Sequence, residues 1–353
     1  MFTLNVPFRC CILTPLTQLT PLLSLTDVAD VDRSLPPELR HLTFHLDFNE
    51  ALDTMTLPSG LQTLTLGCRF NRSLDNTTLP SGLQKLTLSA CFNQNLDRTT
   101  LPSELKELVF GCDFNQSLTR TTLPSGIQLL KFGNCFNQNL DSTILPSGLR
   151  KLTFGCGFNQ SLKNTVLPSG IFSLTFGVQF NQSLAGVTLP RRLKFLAFGD
   201  DFNQTLSNTD FPKLLSVITF GDEFDQSLDG TRLPPRMKSL IFGYAFNQSL
   251  DNTTLPRQLT TLWFGEKFNK RLDNTALPSG LEELIFGERF NQSVDSTTFP
   301  SGLRELRFGY EFDQSLANTA FPSGLRTLSI RYDYNHSLDH TALPNGCSVV
   351  WVT

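Results

Sequence analysis

The residue types able to do chemistry are few, and they are arranged in rows. Cys68, Cys91, Cys112, Cys135 and Cys156 recur at intervals that alternate between 23 and 21 residues. If successive copies of a unit stack about 4.8 Å apart, neighbouring thiols approach closely enough to pair or to share a soft metal. No two cysteines make a C-x-x-C pair, and His41, His45, His336 and His340 all stand near the two ends, so no zinc ligand set is assembled. Free thiols with no metal or cofactor are the expectation. A second row holds carboxylates: Asp200, Asp201, Asp222, Glu223, Glu266, Glu288, Glu311 and Asp333. Stacked like charges repel, so this acidic rim is either solvated or meets a basic partner. It has no oxygen-rich loop of the calcium type. A nucleophile-His-acid pattern, H-E-x-x-H and a Gly-rich phosphate loop are all missing. The recurring F-G-x-x-F-N lacks the G-x-G-x-x-G spacing and the helix of a dinucleotide site. Catalysis would need residues that break the pattern in one place, and no enzyme activity is expected.

Binding is easier to argue. Phe195, Val217, Ile241, Trp263 and Ile285 lie on adjacent copies of the unit, at positions where sister copies mostly carry Thr, Ser or a charge. Contiguous exposed apolar area marks an interaction surface, and an aromatic with apolar neighbours is the usual centre of binding energy. The simpler account is that Ile, Val and Trp are good strand formers in a drifting repeat.

These rows are positioned by a unit of 22 residues, seen at its clearest in FNQSLDNTTLPRQLTTLWFGEK, residues 246–267. An aromatic followed by Asn or Asp returns every 22 residues from Phe48 to Tyr334 without insertion or deletion. A fixed period in the twenties is the signature of a solenoid, whose units bury their apolar faces against one another. With the Phe as position 1, apolar residues fall at 1, 5, 10, 14, 17 and 19. The alternation at 17 and 19 predicts one short strand per coil at about positions 16 to 20, with 16, 18 and 20 facing away from the core on the concave face. Asp, Asn, Thr and an ever-present Pro at positions 6 to 11 exclude a helix from the return leg. The Pro at position 11 reads as a corner outside the ladder. Gly at position 20 reads as a positive φ or tight bend leaving the strand. The Asn of position 2 reads as an internal ladder that satisfies a buried bend by accepting and donating. On this reading Asp225 and Asp313 keep only the acceptor half, and the Gln of position 3 does nothing.

LPSGLQKLTL, LPSGLRKLTFGCGFNQSL and their copies resemble leucine-rich repeats, and more specifically the FNIP repeat. The resemblance covers residues 35–353. It departs from the family where Gln-Ser usually replaces Ile-Pro, and the Asn comes two residues later than in L-x-x-L-x-L-x-x-N. It implies a leucine-rich-repeat-like solenoid of about 14 to 15 coils, with parallel strands and little or no helix, acting as an interaction scaffold.

Residues 1–34 precede the register. They are expected to form a cap or divergent segment, because a signal peptide would lack a charged start and be broken by Pro15 and Pro21. An F-box reading of SLPPELRHLTF yields to the fact that Leu35, Pro36, Leu39, Leu42 and Phe44 already occupy repeat positions. The last strand, CSVVWVT, carries no polar cap, which suggests dimerisation through that end or a truncated product. Net charge is −3, and no apolar run reaches the ~18–20 residues of a membrane span. Neither nucleic acid nor membrane is an expected partner. Sequons such as Asn71, Asn115, Asn181 and Asn247 fall on the ladder Asn, where a glycan would break the stack. The expected picture is a cytoplasmic, non-catalytic scaffold gripping a protein or peptide on its concave strand face. The alternative is self-assembly through the C-terminal strand.

Overall fold

The computed structural model describes residues 24–28, 35–338 and 341–352. It divides into two compact units, the first ending at Ile171 and the second beginning at Phe172. In the first lie β1 (Ser24–Val28), β2 (His41–Phe44), β3 (Thr63–Thr65), β4 (Lys85–Thr87), β5 (Glu107–Val109), β6 (Leu129–Lys131) and β7 (Lys151–Thr153). In the second lie β8 (Ser173–Thr175), β9 (Phe195–Ala197), β10 (Val217–Thr219), β11 (Ser239–Ile241) and β12 (Thr261–Trp263), followed by β13 (Glu283–Ile285), β14 (Glu305–Arg307), β15 (Thr327–Arg331) and β16 (Ser348–Val352). Within each unit neighbouring strands pair in parallel, and the sequence period becomes the register: Leu240 faces Leu262, which faces Leu284. The chain is a parallel β-solenoid of about fourteen coils, and a 3-10 turn at Leu52–Thr54 is the one helical element among the described residues. Most of the expected N-terminal cap lies outside the described residues. Its last strand, β1, pairs with β2 through an irregular register.

Three turns fold each coil. In residues 246–268 the N–H of Thr253 donates to the Leu250 carbonyl, that of Leu259 to Pro256 and that of Phe268 to Gly265. The Pro supplies a carbonyl where no N–H is required of it, so its missing donor costs nothing at this corner. Between the turns the apolar positions converge. The position-1 Phe column, Phe70 to Phe312, is almost fully buried, as are the position-17 leucines. Each position-19 Phe stacks on the Phe that follows it, with centroids at 3.9 Å for Phe132 and Phe136 and 3.7 Å for Phe264 and Phe268. The strands span positions 16 to 18 in most coils, shorter than expected, because the chain already turns at position 20.

The spacing of equivalent rings measures the local distance between coils. It is 6.1 Å for Phe246 and Phe268, 5.8 Å for Phe242 and Phe264, and about 4.8 Å between hydrogen-bonded strands. Within each unit the strands therefore line the inner side of the local curvature.

Two expectations are corrected here. At position 20 the tight bend is present, since the Phe268 N–H donates to the Gly265 carbonyl, but the positive φ is not: it occurs among the described residues at Gly186, Gly230 and Gly346, none of them at position 20. A Cβ on Gly265 would instead lie 1.5 Å from the Gly243 carbonyl oxygen, and one on Gly133 1.7 Å from that of Gly111. The position-20 glycines let one coil's backbone rest on the next, so they are not part of the outward strand face. His45, Ser89 and Arg331 occupy this position in three coils, so the contact can be relieved locally. The Asn ladder exists, but its members are half-buried or exposed, and the rung uses the side-chain oxygen: Asn93 Oδ1 accepts from the Asn115 N–H at 2.9 Å and from Gln116 Nε2 at 2.9 Å. Gln at position 3 is thus part of the rung. Asp225 serves as well as Asn, accepting from the Asn247 N–H at 2.8 Å and from Gln248 Nε2 at 2.9 Å.

A further ladder was not foreseen. The Thr of position 8 is buried, and its hydroxyl donates to the Asp at position 6 of the preceding coil, as in Thr275 to Asp251 at 3.0 Å and Thr319 to Asp295 at 2.9 Å. Where that position is Thr119, Ala185 or Ser207, the hydroxyls of Thr143, Thr209 and Thr231 lack a partner. Thr77 and Thr253 are also unpartnered, although Asp53 and Asp229 stand at that position.

Candidate functional site

The outward face of β9 to β13 follows from strand alternation. The middle residue of each strand is buried, and its two neighbours point out. Phe195 and Trp263 are 45% and 37% exposed, and Val217, Ile241 and Ile285 are half-buried. All five residues picked from the sequence lie on this face, but they do not form a single row. Phe195 pairs with Val217, whereas Ile241, Trp263 and Ile285 follow one another two residues further along their strands. Opposite Val217 stands Ser239, and opposite Ile241 stands Thr219. The two columns are offset by about 6.6 Å, so the apolar path slants across the strands. Phe172 extends it, its ring meeting that of Phe195 edge-on at 6.5 Å and 73°. The signal for it was a Phe at position 15, where every sister coil carries a polar or charged residue.

The acidic rim divides. Asp200, Asp201, Asp222 and Glu223 are exposed, and no cation pairs with them among the described residues. Further along, the charge is partly neutralised. Arg289 lies 3.8 Å from Glu266, Glu288 accepts the Tyr310 N–H at 3.1 Å, and Lys267 sits 4.9 Å over the Tyr244 ring. Arg331 grips both oxygens of Asp333 at 2.5 and 2.6 Å, which holds that carboxyl below its usual range. Glu311 is exposed.

At the other edge of the same strands is a charge pattern that a search for carboxylates passed over. The turns leading into β9, β10 and β11 carry Arg191, Arg192, Lys194, Lys213, Arg236 and Lys238, all exposed, and no acid between each turn's Pro and its strand.

The remaining candidates hold no assembled site among the described residues. The five cysteines are free, and all but the half-buried Cys91 are exposed. No group of three or more metal-binding side chains occurs. His41 is hydrogen bonded to Thr63 at 2.8 Å and His336 to the Asp313 carbonyl at 2.9 Å, and His340 lies outside the described residues. β16 exposes Val350 and Trp351.

The FNIP Repeat family matches the chain over residues 31–69, 70–113, 114–157, 158–201, 180–223, 202–245, 246–289 and 290–333. Among solved structures, CroV588, described as a novel circular leucine-rich-repeat protein, is 33% identical with a TM-score of 0.78 over 91% of this chain and 54% of its own. This chain thus spans about half the length of that protein. An internalin, InlF of Listeria monocytogenes, shares the fold at 14% identity and a TM-score of 0.50, over 76% of this chain and 80% of its own. Comparison with curated proteins gives no match.

Proposed function

The chain belongs to the FNIP-repeat family, and on that premise we propose that it is a non-catalytic scaffold that binds a protein or peptide on its outward strand face. Leucine-rich-repeat-like folds commonly serve protein interaction, and the site rather than the fold must carry the finer reading. The observation that carries it is the slanting apolar path from Phe195 to Ile285, exposed on the inner side of the local curvature in a repeat whose sister coils mostly place Thr, Ser or charge there. Stability does not require these side chains, since the core beneath them is closed by fully buried Leu196, Leu240 and Leu262. The thiols of Cys68 to Cys156, free and all but Cys91 exposed, fit a reducing cytoplasm. The half-exposed ladder Asn residues remove burial as an argument against their glycosylation.

The test is selection of a random peptide library on the immobilised protein, with each binder re-measured against Trp263→Ser and Ile241→Thr. Both substitutions restore residue types used by sister coils, so the melting transition should hardly move. Affinity should fall by about tenfold or more, the loss expected of a hot spot. Binders that tolerate both changes, or no enrichment over a blank surface, would refute the strand face as the site.

A further inference from the structure

From the two charged edges that flank the apolar path, we infer that the strand face takes an amphipathic helix of about three turns, its apolar stripe bordered by carboxylates on one side and by Lys or Arg on the other. The inference rests on the strand-face reading of function and adds the partner's chemistry and conformation.

Direction comes first. Each of β9 to β12 offers one large outward apolar side chain, Phe195, Val217, Ile241 and Trp263 in turn, so a partner that buries them together must run across the coils. Spacing then selects its conformation. The coils repeat about every 4.8 Å along the strand face. A helix presents a row of side chains about every 5.4 Å, one turn per coil, whereas an extended chain returns to the same face only about every 6.6 Å and falls out of step. Four coils span about 15 Å, or ten helical residues, and an i, i+3 or i+4, i+7 stripe is how an apolar helix face is read by a groove.

Charge completes the description. Along one edge stand Arg191, Arg192, Lys194, Lys213, Arg236 and Lys238, with no carboxylate among the turn residues that carry them. Along the other stand Asp200, Asp201, Asp222 and Glu223, with no cation between them. The edges lie on opposite sides of strands only three residues long, so a helix lying on the apolar path comes within reach of both. A uniformly acidic or basic partner gains on one edge and loses on the other. One whose charges are segregated by side gains on both, and its axial direction is set by the same arrangement.

The experiment uses the whole chain and four labelled synthetic peptides with the same Leu and Phe stripe, read by fluorescence anisotropy. The first carries Glu along one flank and Lys along the other. In the second, of identical composition, the signs alternate along each flank. A third carries only Glu, and the fourth is the first with a central Pro. The segregated peptide should bind at least tenfold more tightly than the other three, and become helical on binding by circular dichroism. Its advantage should collapse in high salt and in the exposed-residue variant R236E/K238E, whose melting transition is checked alongside. Equal binding of the segregated and alternating peptides, both weakened by Trp263→Ser, overturns this inference and leaves the strand-face reading intact. Tightest binding by the all-Glu peptide, or full binding by the Pro peptide, overturns it as well. So does failure of all four to bind. Binding indifferent to Trp263→Ser overturns both readings.

Discussion

Asn93 offers the sharpest test of how the coils are held together. Its Oδ1 accepts the Asn115 N–H at 2.9 Å and Gln116 Nε2 at 2.9 Å, and its neighbours on the ladder are Asn71 and Asn115, with no acid among them. Replacing it by Ala removes both acceptor contacts. A neutral hydrogen bond contributes about 1 kcal/mol net, so the pair amounts to about 2 kcal/mol in this half-exposed setting. Gln116→Ala removes one donor and should cost about half as much. Asn93→Asp keeps the oxygen and should cost less than about 0.5 kcal/mol at neutral pH, because the native Asp225 makes the same two contacts. Urea melts of the three variants would rank them. Stacked repeats need not unfold in one step, so the local readout is hydrogen exchange at the Asn115 amide, which should lose protection in Asn93→Ala and keep it in Asn93→Asp. The ladder as described is wrong if Asn93→Asp is as damaging as Asn93→Ala, or if the Asn115 amide is indifferent to both.

Other consequences can be measured on the same chain. Gly265→Ala places a Cβ 1.5 Å from the Gly243 carbonyl oxygen and should cost about 3 kcal/mol through overpacking. Gly230→Ala meets nothing within 4 Å and should cost only the strain of φ 71°, about 1 kcal/mol; the reverse order in thermal melts would refute the close-contact account of position 20. Ser207→Asp should stabilise by about 1 kcal/mol by supplying the acceptor that the buried Thr231 hydroxyl lacks. A gain that persists in a Thr231→Val background would be unrelated to that bond. Burial pushes the Tyr334 phenol up from 10.0 to about 12, and its O–H donates to the Gln314 carbonyl at 2.6 Å. The folded state therefore binds this proton more tightly than the unfolded chain, and its contribution is complete below pH 10 and lost as pH rises to about 12. Wild type should lose its stability margin over Tyr334→Phe across that window, and parallel melting curves there would exclude the effect.

A period of 22 with no insertion or deletion determined most of this protein before any coordinate was known. It determined the coil, the buried positions 1, 5, 14, 17 and 19, the Pro corners and the outward alternation that exposes Phe195 and Trp263, because in a solenoid a sequence offset of 22 becomes a neighbour in space. Tertiary structure alone decided what passes between neighbouring coils. The position-20 glycines make room for the preceding coil's carbonyl, the Asn rung needs an acceptor and tolerates Asp225, and the buried Thr231 lacks the Asp that Thr275 finds. The same holds at the surface, where Val217 and Ile241 fall in different columns and Arg236 and Asp222 at opposite edges of one face. Repeat positions name which residues are one coil apart. They do not say how far apart neighbouring coils stand at each corner, about 4.8 Å along the strands and 6.1 Å between the ring centroids of Phe246 and Phe268, and that distance sets whether backbone meets backbone directly or needs a side chain to bridge it.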